Sequence, residues 1–345
     1  MGKNIVFKIT DYIEPDLAWE AVQCEKLGVE FTAYQMKNTP PSEIVPKVRD
    51  ADILLVNMAL ANAELIAGLD RTQIIIRHGI GYDNLDVAAA TAHGIVCANE
   101  PTASSEDVAE QAIMLMFATW RKINIQFRMF DQLLEQGKLL MDMMYPVYRM
   151  GGKTLGIVGC GNIGRFVLAK MRSFGMKILV CDPYLSDERK RELGIEHTPL
   201  DTLLRESDIV TIHVPVTPET EGMFNAETIG LMKKTAILVN TSRAKILVVE
   251  ALADALKNDV IAGAGIDVHP GEPPGADYPL LGLDNALLTP HVAWYSEEGG
   301  WDIRHMIMDD LKAFLSGNPP KSVLNPEVFD RPNLRMKRPD AAHTF

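Results

Sequence analysis

Three side chains suited to proton transfer and anion binding lie in the second half of the chain. Arg243 stands in VNTSRAK, Glu272 in IDVHPGEPP and His291 in LLTPHVAW. A guanidinium can clamp a carboxylate through two parallel hydrogen bonds and polarise an adjacent carbonyl. An imidazole titrates near neutrality and can give a proton to a carbonyl oxygen or take it back. A carboxylate beside the ring would orient it and favour its protonated form.

Parallel β-strands would bring these three residues to one place. Each follows an apolar stretch, and six such stretches, from KTLGIVG to ALLTPH, alternate with helical patterns. That alternation is typical of a parallel sheet with crossover helices. The carboxyl ends of strands in a doubly wound sheet border one crevice, so Arg243, Glu272 and His291 are predicted to meet there. Taken singly, each is more simply a surface cation, a loop acid or a strand-end histidine.

A glycine-rich turn precedes these residues. The stretch GIVGCGNIGR stands between a predicted strand and an amphipathic helix, which is the setting that a dinucleotide-binding turn requires. Gly159 would permit the tight turn, Gly161 would let a pyrophosphate approach, and Gly164 would let the helix pack closely against the strand. The amides of Asn162 and Ile163 would then point at the anion from the helix N-terminus.

The strand after the glycine turn predicts which dinucleotide binds. KILVC ends in Asp182, which lies 18 residues beyond Gly164. A carboxylate there can accept hydrogen bonds from the adenosine ribose hydroxyls and would repel a 2′-phosphate. The first basic residue after it, Arg189, lies well past the strand end. The sequence therefore predicts NAD rather than NADP as the cofactor.

The first hundred residues predict a second parallel α/β unit. Five apolar stretches, from NIVFKI to IVCAN, alternate there with helical patterns. The last amphipathic helix and the residues after it could not form a domain alone, so they are predicted to return to this first unit. The predicted fold is therefore two doubly wound parallel-sheet α/β domains. A smaller, flavodoxin-like substrate domain would comprise residues 1–102 plus about 298–345, and a Rossmann NAD-binding domain would comprise residues 103–297.

Two stretches at the start of the predicted NAD-binding domain carry predictions of their own. Residues 104–137 contain no Pro or Gly before Gly137 and predict one long helix, part of which is apolar all round and expected to be buried. The methionine cluster around 141–150 is interpreted as packing material.

Charge and cysteine content exclude several classes of partner. The 345 residues include 34 basic and 46 acidic ones, for a net charge of −12. That charge would repel nucleic acid and anionic lipid alike, so neither is predicted as a partner. Cys24, Cys97, Cys160 and Cys181 lack metal-type spacing, and the first residues have no apolar signal core. We therefore predict a cytoplasmic protein without a metal site.

Seven ordered segments resemble the D-isomer-specific 2-hydroxyacid dehydrogenases, from about residue 50 to 327. They are GIGYDNLDVAAA, VAE, GIVGCGNIG, HVPVTPET, VNTSRAK, GIDVHPGEP and LTPHVAW. The resemblance implies that Arg243 binds the substrate carboxylate, that Glu272 and His291 form the acid/base pair, and that the protein is a homodimer.

The resemblance also implies roles for residues that no spacing argument singles out. Backbone amides around Gly79, Ile80 and Gly81 would complete the carboxylate site, and Ile80 would also contact the cofactor. Four residues would lie along the cofactor: Val214, Pro215, Thr241 and Ser242. Asp267 would help to hold the nicotinamide end.

The stretch HVAWYSEEG is more particularly similar to the C-terminal-binding-protein-like branch of the family. In that branch a tryptophan at the position of Trp294 would line the substrate pocket. Two positions depart from the family pattern: Ala244 replaces the usual glycine after the catalytic arginine, and NMALAN has no cation where phosphoglycerate-type members have a basic loop. The second departure argues against a phosphorylated substrate.

These features predict an NAD-dependent D-2-hydroxyacid dehydrogenase that acts on a small unphosphorylated 2-hydroxy or 2-oxo acid. An NAD(H)-sensing, corepressor-like scaffold is the alternative, and oxidation of formate or phosphite is a weaker one, because formate enzymes of this fold pair the histidine with glutamine. His213 could line the cofactor cleft, whereas His78 could equally be structural.

Overall fold

A computed structural model describes residues 4–137 and 146–336. Most of the methionine cluster and residues 337–345 therefore lie outside the described residues. Contacts divide the chain into two compact units. The first unit holds the residues up to Ser104 and those from Ser296 onward, and the second holds Ser105–Tyr295.

The first unit is built on a five-stranded parallel sheet. Its strands are β1 (Val6–Ile9), β2 (Glu30–Ala33), β3 (Ile53–Val56), β4 (Ile74–Arg77) and β5 (Val96–Asn99). The intervening helices are α1 (Ala18–Leu27), α2 (Pro41–Val48), α3 (Ala63–Ala67) and α4 (Val87–Ala92). The strand order β2-β1-β3-β4-β5 is that of flavodoxin-like sheets. All of its pairings are parallel, as the alternating pattern predicted.

The second unit is built on a six-stranded parallel sheet. Its strands are β6 (Thr154–Val158), β7 (Lys177–Cys181), β8 (Ile209–Ile212), β9 (Ile237–Asn240), β10 (Gly263–Ile266) and β11 (Ala286–Leu288). The helices are α5 (Ser105–Trp120), α6 (Ile123–Gln136), α7 (Asn162–Met171), α8 (Asp187–Leu193), α9 (Leu200–Glu206), α10 (Ala226–Gly230) and α11 (Val249–Lys257).

The strand order of this sheet is β11-β10-β9-β8-β6-β7. It corresponds to a Rossmann domain in which the strand beyond β7 is shortened to a single bridge. A parallel bridge joins His197 to Val180 in β7, where the third strand of a Rossmann sheet would add. The sequence did not predict this strand, because the residues around His197 carry too short an apolar run.

Helices on both faces bury the second sheet. Ile157 and Val239 belong to the core that packs against α5 and α7, whereas Val210 and Leu238 belong to the core that packs against α11. Parallel strands covered on both faces read as continuous apolar runs, which is why the sequence identified them. Within the described residues no helix has both the length and the apolar character needed to span a membrane.

The prediction of one long helix over residues 104–137 is wrong. The chain forms α5 and α6 instead, and Lys122 between them has a left-handed backbone with φ of 56°. The Asn124 amide donates a 2.5 Å hydrogen bond to the carbonyl of Asp284, which fixes the start of α6 against the β11 loop. Because α6 has an apolar face of its own, the periodicity gave no sign of the break.

The C-terminal helix α12 (Glu297–Leu315) packs in the first unit. After it, Val323 forms an antiparallel bridge with Ala98 in β5. The fully buried Asn325 accepts a 2.8 Å hydrogen bond from the amide of Cys97 and donates one of 2.8 Å to Thr91. The residues after α12 therefore complete the edge of the first sheet.

Candidate active site

His291 and Glu272 are in direct contact on loops that follow neighbouring strands. Glu272 lies after β10 and His291 lies after β11, and His291 Nδ1 is 2.6 Å from Glu272 Oε2. Because an ionised carboxylate only accepts, Nδ1 carries the proton of this bond and Nε2 is left for a further partner. The two side chains keep 36% and 30% of their surface exposed, so a small molecule can reach them.

The environment keeps Glu272 ionised. Burial alone would raise the pKa of Glu272, but hydrogen bonds from His291 and from the backbone N–H of His269 outweigh burial and hold the pKa below its usual value. The His269 amide lies 3.1 Å from Glu272 Oε1. An ionised carboxylate on Nδ1 orients the imidazole.

The fully buried Asp267 supports the turn that carries His291. Its carboxylate accepts hydrogen bonds from the Thr289 hydroxyl at 2.5 Å, the Val292 amide at 3.1 Å and the Ala293 amide at 2.9 Å. His291 itself has a φ of 55°, which non-glycine residues rarely adopt and which needs such support. The predicted contact of Asp267 with a nicotinamide stays a prediction.

Trp294 belongs to the same turn. Its indole Nε1 donates a 2.9 Å hydrogen bond to the carbonyl of His291, and its ring meets Tyr295 edge-on at 5.4 Å. The indole therefore closes the turn around His291. Its predicted place in a substrate pocket stays a prediction.

Arg243 lies in the loop after β9, the strand next to β10 in the sheet. The Asn240 side chain shapes this loop: its oxygen accepts from the Ser242 amide at 3.0 Å, and its nitrogen donates to the Arg243 carbonyl at 2.9 Å. Arg243 Nη1 donates to the Ser242 carbonyl at 2.8 Å. Arg243, Glu272 and His291 thus follow the carboxyl ends of three adjacent parallel strands, β9, β10 and β11.

Each of the three glycines in the glycine turn has a different structural role. Gly159 has a φ of 89°, and a Cβ there would lie 2.6 Å from the His213 carbonyl oxygen. A Cβ on Gly164 would lie 2.2 Å from the Gly159 carbonyl oxygen, so the helix packs closely against the turn. A Cβ on Gly161 would meet nothing within 4 Å. The open side of the turn is therefore at Gly161, where α7 begins with Asn162.

Asp182 braces the glycine turn from the end of β7. Its Oδ2 accepts a 2.8 Å hydrogen bond from the Cys160 amide, and its Oδ1 accepts a 3.1 Å bond from the Tyr184 amide. The residue is partly exposed, so the carboxylate can hold the turn and still accept from a ligand.

The predicted cofactor-side residues after β8 and β9 differ in their surroundings. Val214 lies against Gly159, and Pro215 is exposed. The Ser242 hydroxyl donates to Asn240 at 2.7 Å, whereas the buried Thr241 hydroxyl has no hydrogen-bond partner among the residues that the structure describes. Burial lowers the pKa of His213 to about 3, so this histidine is neutral and supplies no charge to a phosphate.

The Gly79–Gly81 loop lies in the first unit, after β4. Gly79 has a φ of 124°, and its carbonyl accepts from the Glu100 amide at 3.1 Å. The Ile80 carbonyl accepts from the Asn99 side chain at 2.6 Å. None of the hydrogen bonds within residues 4–137 and 146–336 uses the backbone N–H of Ile80 or Gly81. The loop can therefore offer these two amides to an anion.

Comparison with known proteins identifies the family. Residues 113–293 match the NAD binding domain of the D-isomer specific 2-hydroxyacid dehydrogenases. Over 295 residues, 84% of this chain and 88% of the relative, the sequence is 40% identical to glyoxylate reductase of Korarchaeum cryptofilum (strain OPF8). The chain belongs to this family.

Other relatives of this D-isomer specific dehydrogenase differ in substrate. D-3-phosphoglycerate dehydrogenase of Methanocaldococcus jannaschii is 36% identical over 299 residues, 86% of this chain and 56% of that protein. The structure of Aquifex aeolicus D-lactate dehydrogenase, complexed with NAD and lactic acid, has a TM-score of 0.80 at 26% identity, covering 93% of this chain and 99% of that one. The predicted C-terminal-binding-protein-like branch is not distinguished by these relatives and stays a prediction.

The second unit of the dehydrogenase fits the NAD that its family binds. The open face of Gly161 leaves room for a pyrophosphate at the start of α7, and the unpartnered Thr241 hydroxyl is a buried polar group that a ligand could satisfy.

Two contributors to the dehydrogenase site were missed by the sequence analysis. Arg165 folds back over the start of α7, donating to the Gly161 carbonyl at 3.1 Å and to Asn162 Oδ1 at 2.6 Å. A basic residue in the first helical turn after a glycine-rich turn could have signalled this. Asn240 was also missed, although a polar residue ending an apolar strand just before TSRAK was a usable signal.

Proposed function

We propose that this dehydrogenase interconverts small unphosphorylated 2-oxo acids and D-2-hydroxy acids, with His291 as the general acid/base. The contact of His291 Nδ1 with the ionised Glu272 carries the proposal. It leaves Nε2 as the atom that exchanges a proton with the substrate oxygen.

The residues divide the reduction between them. Arg243 binds the substrate carboxylate in two parallel hydrogen bonds and polarises the neighbouring carbonyl. NADH, when bound, would supply the hydride for this reduction. His291 Nε2–H gives its proton to the carbonyl oxygen, so that a C=O becomes a CH–OH, and Glu272 stabilises the charged ring beforehand. In the oxidation direction the neutral Nε2 takes the hydroxyl proton back.

The Gly79–Gly81 loop has two backbone N–H groups that could bind an anion. The amides of Ile80 and Gly81 are suited to a carboxylate, because a backbone N–H to an anion makes a short, charge-assisted hydrogen bond. This assignment rests on the family resemblance and on the engagement of the neighbouring carbonyls by Asn99 and Glu100.

Cofactor selection is assigned to the glycine turn and Asp182. The amides at the start of α7 and the guanidinium of Arg165 would hold the pyrophosphate, and Asp182 would accept from the adenosine ribose hydroxyls. We propose NAD over NADP, because a 2′-phosphate beside the Asp182 carboxylate would be repelled.

Glyoxylate is the first substrate to test, because a glyoxylate reductase is 40% identical to this chain. NADH consumption would be followed with glyoxylate, pyruvate, bulkier apolar 2-oxo acids and 3-phosphohydroxypyruvate. We expect turnover of the unphosphorylated acids and a much lower kcat/KM for the phosphorylated one. Cofactor binding without turnover of any acid would contradict the proposed reaction, and preference for the phosphorylated acid would contradict the substrate class.

We also propose that the protein is a homodimer. Phe127, Phe130 and Leu134 project from α6 with 72%, 50% and 67% of their surface exposed. A contiguous apolar face of this kind marks an interaction surface.

The four free thiols are buried and fit a reducing compartment; they are Cys24, Cys97, Cys160 and Cys181. The cytoplasmic location stays a prediction. No observation favours the corepressor-like scaffold.

A further inference from the structure

We propose that His269 is a positioning residue for the His291–Glu272 pair, acting through a buried chain of hydrogen bonds from Tyr278 to Thr289. The inference rests on the proposed function of that pair. His269 follows Asp267 by two residues and is 8% exposed, and Tyr278 is 6% exposed. His269 Nδ1 lies 3.1 Å from the Tyr278 hydroxyl, and Nε2 lies 2.8 Å from the carbonyl oxygen of Thr289.

The partners of the ring settle where its protons are. The Thr289 carbonyl can only accept, so His269 Nε2 carries a hydrogen. In the tautomer whose hydrogen is on Nε2, Nδ1 is an acceptor, and the Tyr278 hydroxyl donates to it. Burial raises the pKa of Tyr278 to about 12, so this hydroxyl keeps its proton at any working pH. Tyr278 thereby fixes the tautomer that holds Thr289.

The Thr289 carbonyl connects this chain to His291. It accepts the backbone N–H of His291 at 3.0 Å as well as His269 Nε2. The turn between them holds His291 at a φ of 55°, a conformation that persists in a non-glycine residue only where its surroundings fix it. Asp267 supports the residues after His291, and His269 supports the carbonyl before it.

The same residue reaches the acid of the pair. The backbone N–H of His269 donates to Glu272 Oε1 at 3.1 Å, while Glu272 Oε2 accepts from His291. His269 therefore contacts both segments whose relative position sets the 2.6 Å contact. A side chain that merely filled this space needs no polar atoms, and a buried imidazole is tolerated only when both nitrogens are satisfied.

The test removes the hydrogen bonds of the His269 ring while keeping a side chain of similar volume. His269→Phe keeps a ring but removes both bonds, Tyr278→Phe removes the tautomer lock, and His269→Gln offers an amide donor to Thr289. His93→Phe is the matched control, because His93 lies at the end of α4 in the first unit. Wild-type turnover on the 2-oxo acids is measured first, since its absence is a failure of the proposed function and not of this inference.

With an active wild type, we expect His269→Phe to lower kcat about tenfold or more, as small misplacements of catalytic groups do. KM for the acid and the Kd for NADH should stay within about twofold, and Tyr278→Phe should show a smaller loss of kcat.

Reduction requires charged His291, so looser contact with Glu272 should move the basic limb of the pH–rate profile to lower pH. His269→Gln should recover part of kcat and of the pH profile, and His93→Phe should match wild type.

Several results would overturn the inference. One is a folded His269→Phe protein with wild-type kcat and an unmoved pH profile; another is a loss confined to KM or NADH binding. If circular dichroism shows that His269→Phe does not fold, Tyr278→Phe and His269→Gln decide. Wild-type kinetics and pH profiles in both of those variants would then overturn it.

Discussion

The proposed proton exchange at His291, supported by the Glu272 carboxylate, can be tested one residue at a time. His291→Ala should lower kcat about 10²–10⁴-fold, which is the usual contribution of a general acid/base. Glu272→Gln should lower kcat less and move the basic limb of reduction to lower pH, because the neutral amide no longer stabilises the charged ring. Steady-state kinetics across pH provide the measurement, and a folded His291→Ala protein with unchanged kcat would refute its role.

Arg243 allows a second test at the scale of one residue. Arg243→Ala should raise KM for the 2-oxo acid and lower kcat, because it removes both the carboxylate clamp and the polarising charge. Arg243→Lys should recover only part of the loss, since an ammonium cannot form the two parallel bonds. Equal kinetics for wild type and Arg243→Ala would exclude the carboxylate role.

Asp182 braces the glycine turn and is proposed to select NAD, and one well-chosen substitution separates these two roles. Asp182→Asn keeps an oxygen for the Cys160 amide but removes the charge, so the ratio of kcat/KM for NADH over NADPH should fall. Asp182→Ala also releases the turn and should weaken both cofactors. A coenzyme ratio that is the same in wild type and Asp182→Asn would show that another group selects NAD.

A buried acid pair connects β5 and α12 at the scale of elements. Glu100 and Asp310 are 2% and 4% exposed, and their carboxyl groups interact electrostatically. Burial raises the pKa of Glu100, and repulsion from Asp310 and Asp309 raises it further. The nearby Lys321 acts in the opposite direction. Burial likewise raises the pKa of Asp310, against the hydrogen bond from the Lys321 amide. The folded state therefore favours a protonated carboxyl at this pair.

A raised carboxyl pKa in the folded state stabilises the fold at low pH, and this contribution is lost as the pH rises through the folded pKa. Glu100→Gln should therefore raise Tm at pH 8 relative to wild type, by about 2–4 °C for each kcal/mol of relieved repulsion, and should have less effect at pH 5. Thermal melts at the two pH values provide the measurement. A larger gain at pH 5 than at pH 8 would show that the pair is not protonated in the fold. The Glu100 amide also holds the Gly79 carbonyl, so the pair lies at the base of that loop.

At the scale of the whole molecule, the apolar face of α6 predicts a second copy. Phe127→Glu combined with Leu134→Glu should convert a dimer into a monomer, because two charges would be buried without partners in the interface. Light scattering coupled to size exclusion gives the mass. Val22→Glu is the control, since Val22 is 45% exposed on α1, outside the α6 face. A monomeric wild type, or a double variant that stays dimeric, would contradict the prediction.

The strands, the helices and the two sheets of parallel strands followed from local patterns in the sequence. Apolar runs such as QIIIR and AILVN identify buried strands because both faces of a parallel sheet are covered. The same patterns placed Arg243, Glu272 and His291 after successive strands. The break at Lys122 was missed because α6 has an apolar face of its own, and the strand at His197 was missed because its apolar run is too short.

By itself, then, the sequence determined the elements, their parallel arrangement and the residue types at the strand ends, since periodicity and glycine placement act over a few neighbouring residues. Only the tertiary structure decided which loop side chains reach each other. It showed Asp267 and His269 holding the His291 turn, Asn240 shaping the Arg243 loop and Asp182 bracing the glycine turn. These bonds join residues whose separation is set by packing of whole strands and loops, and no local pattern specifies that distance.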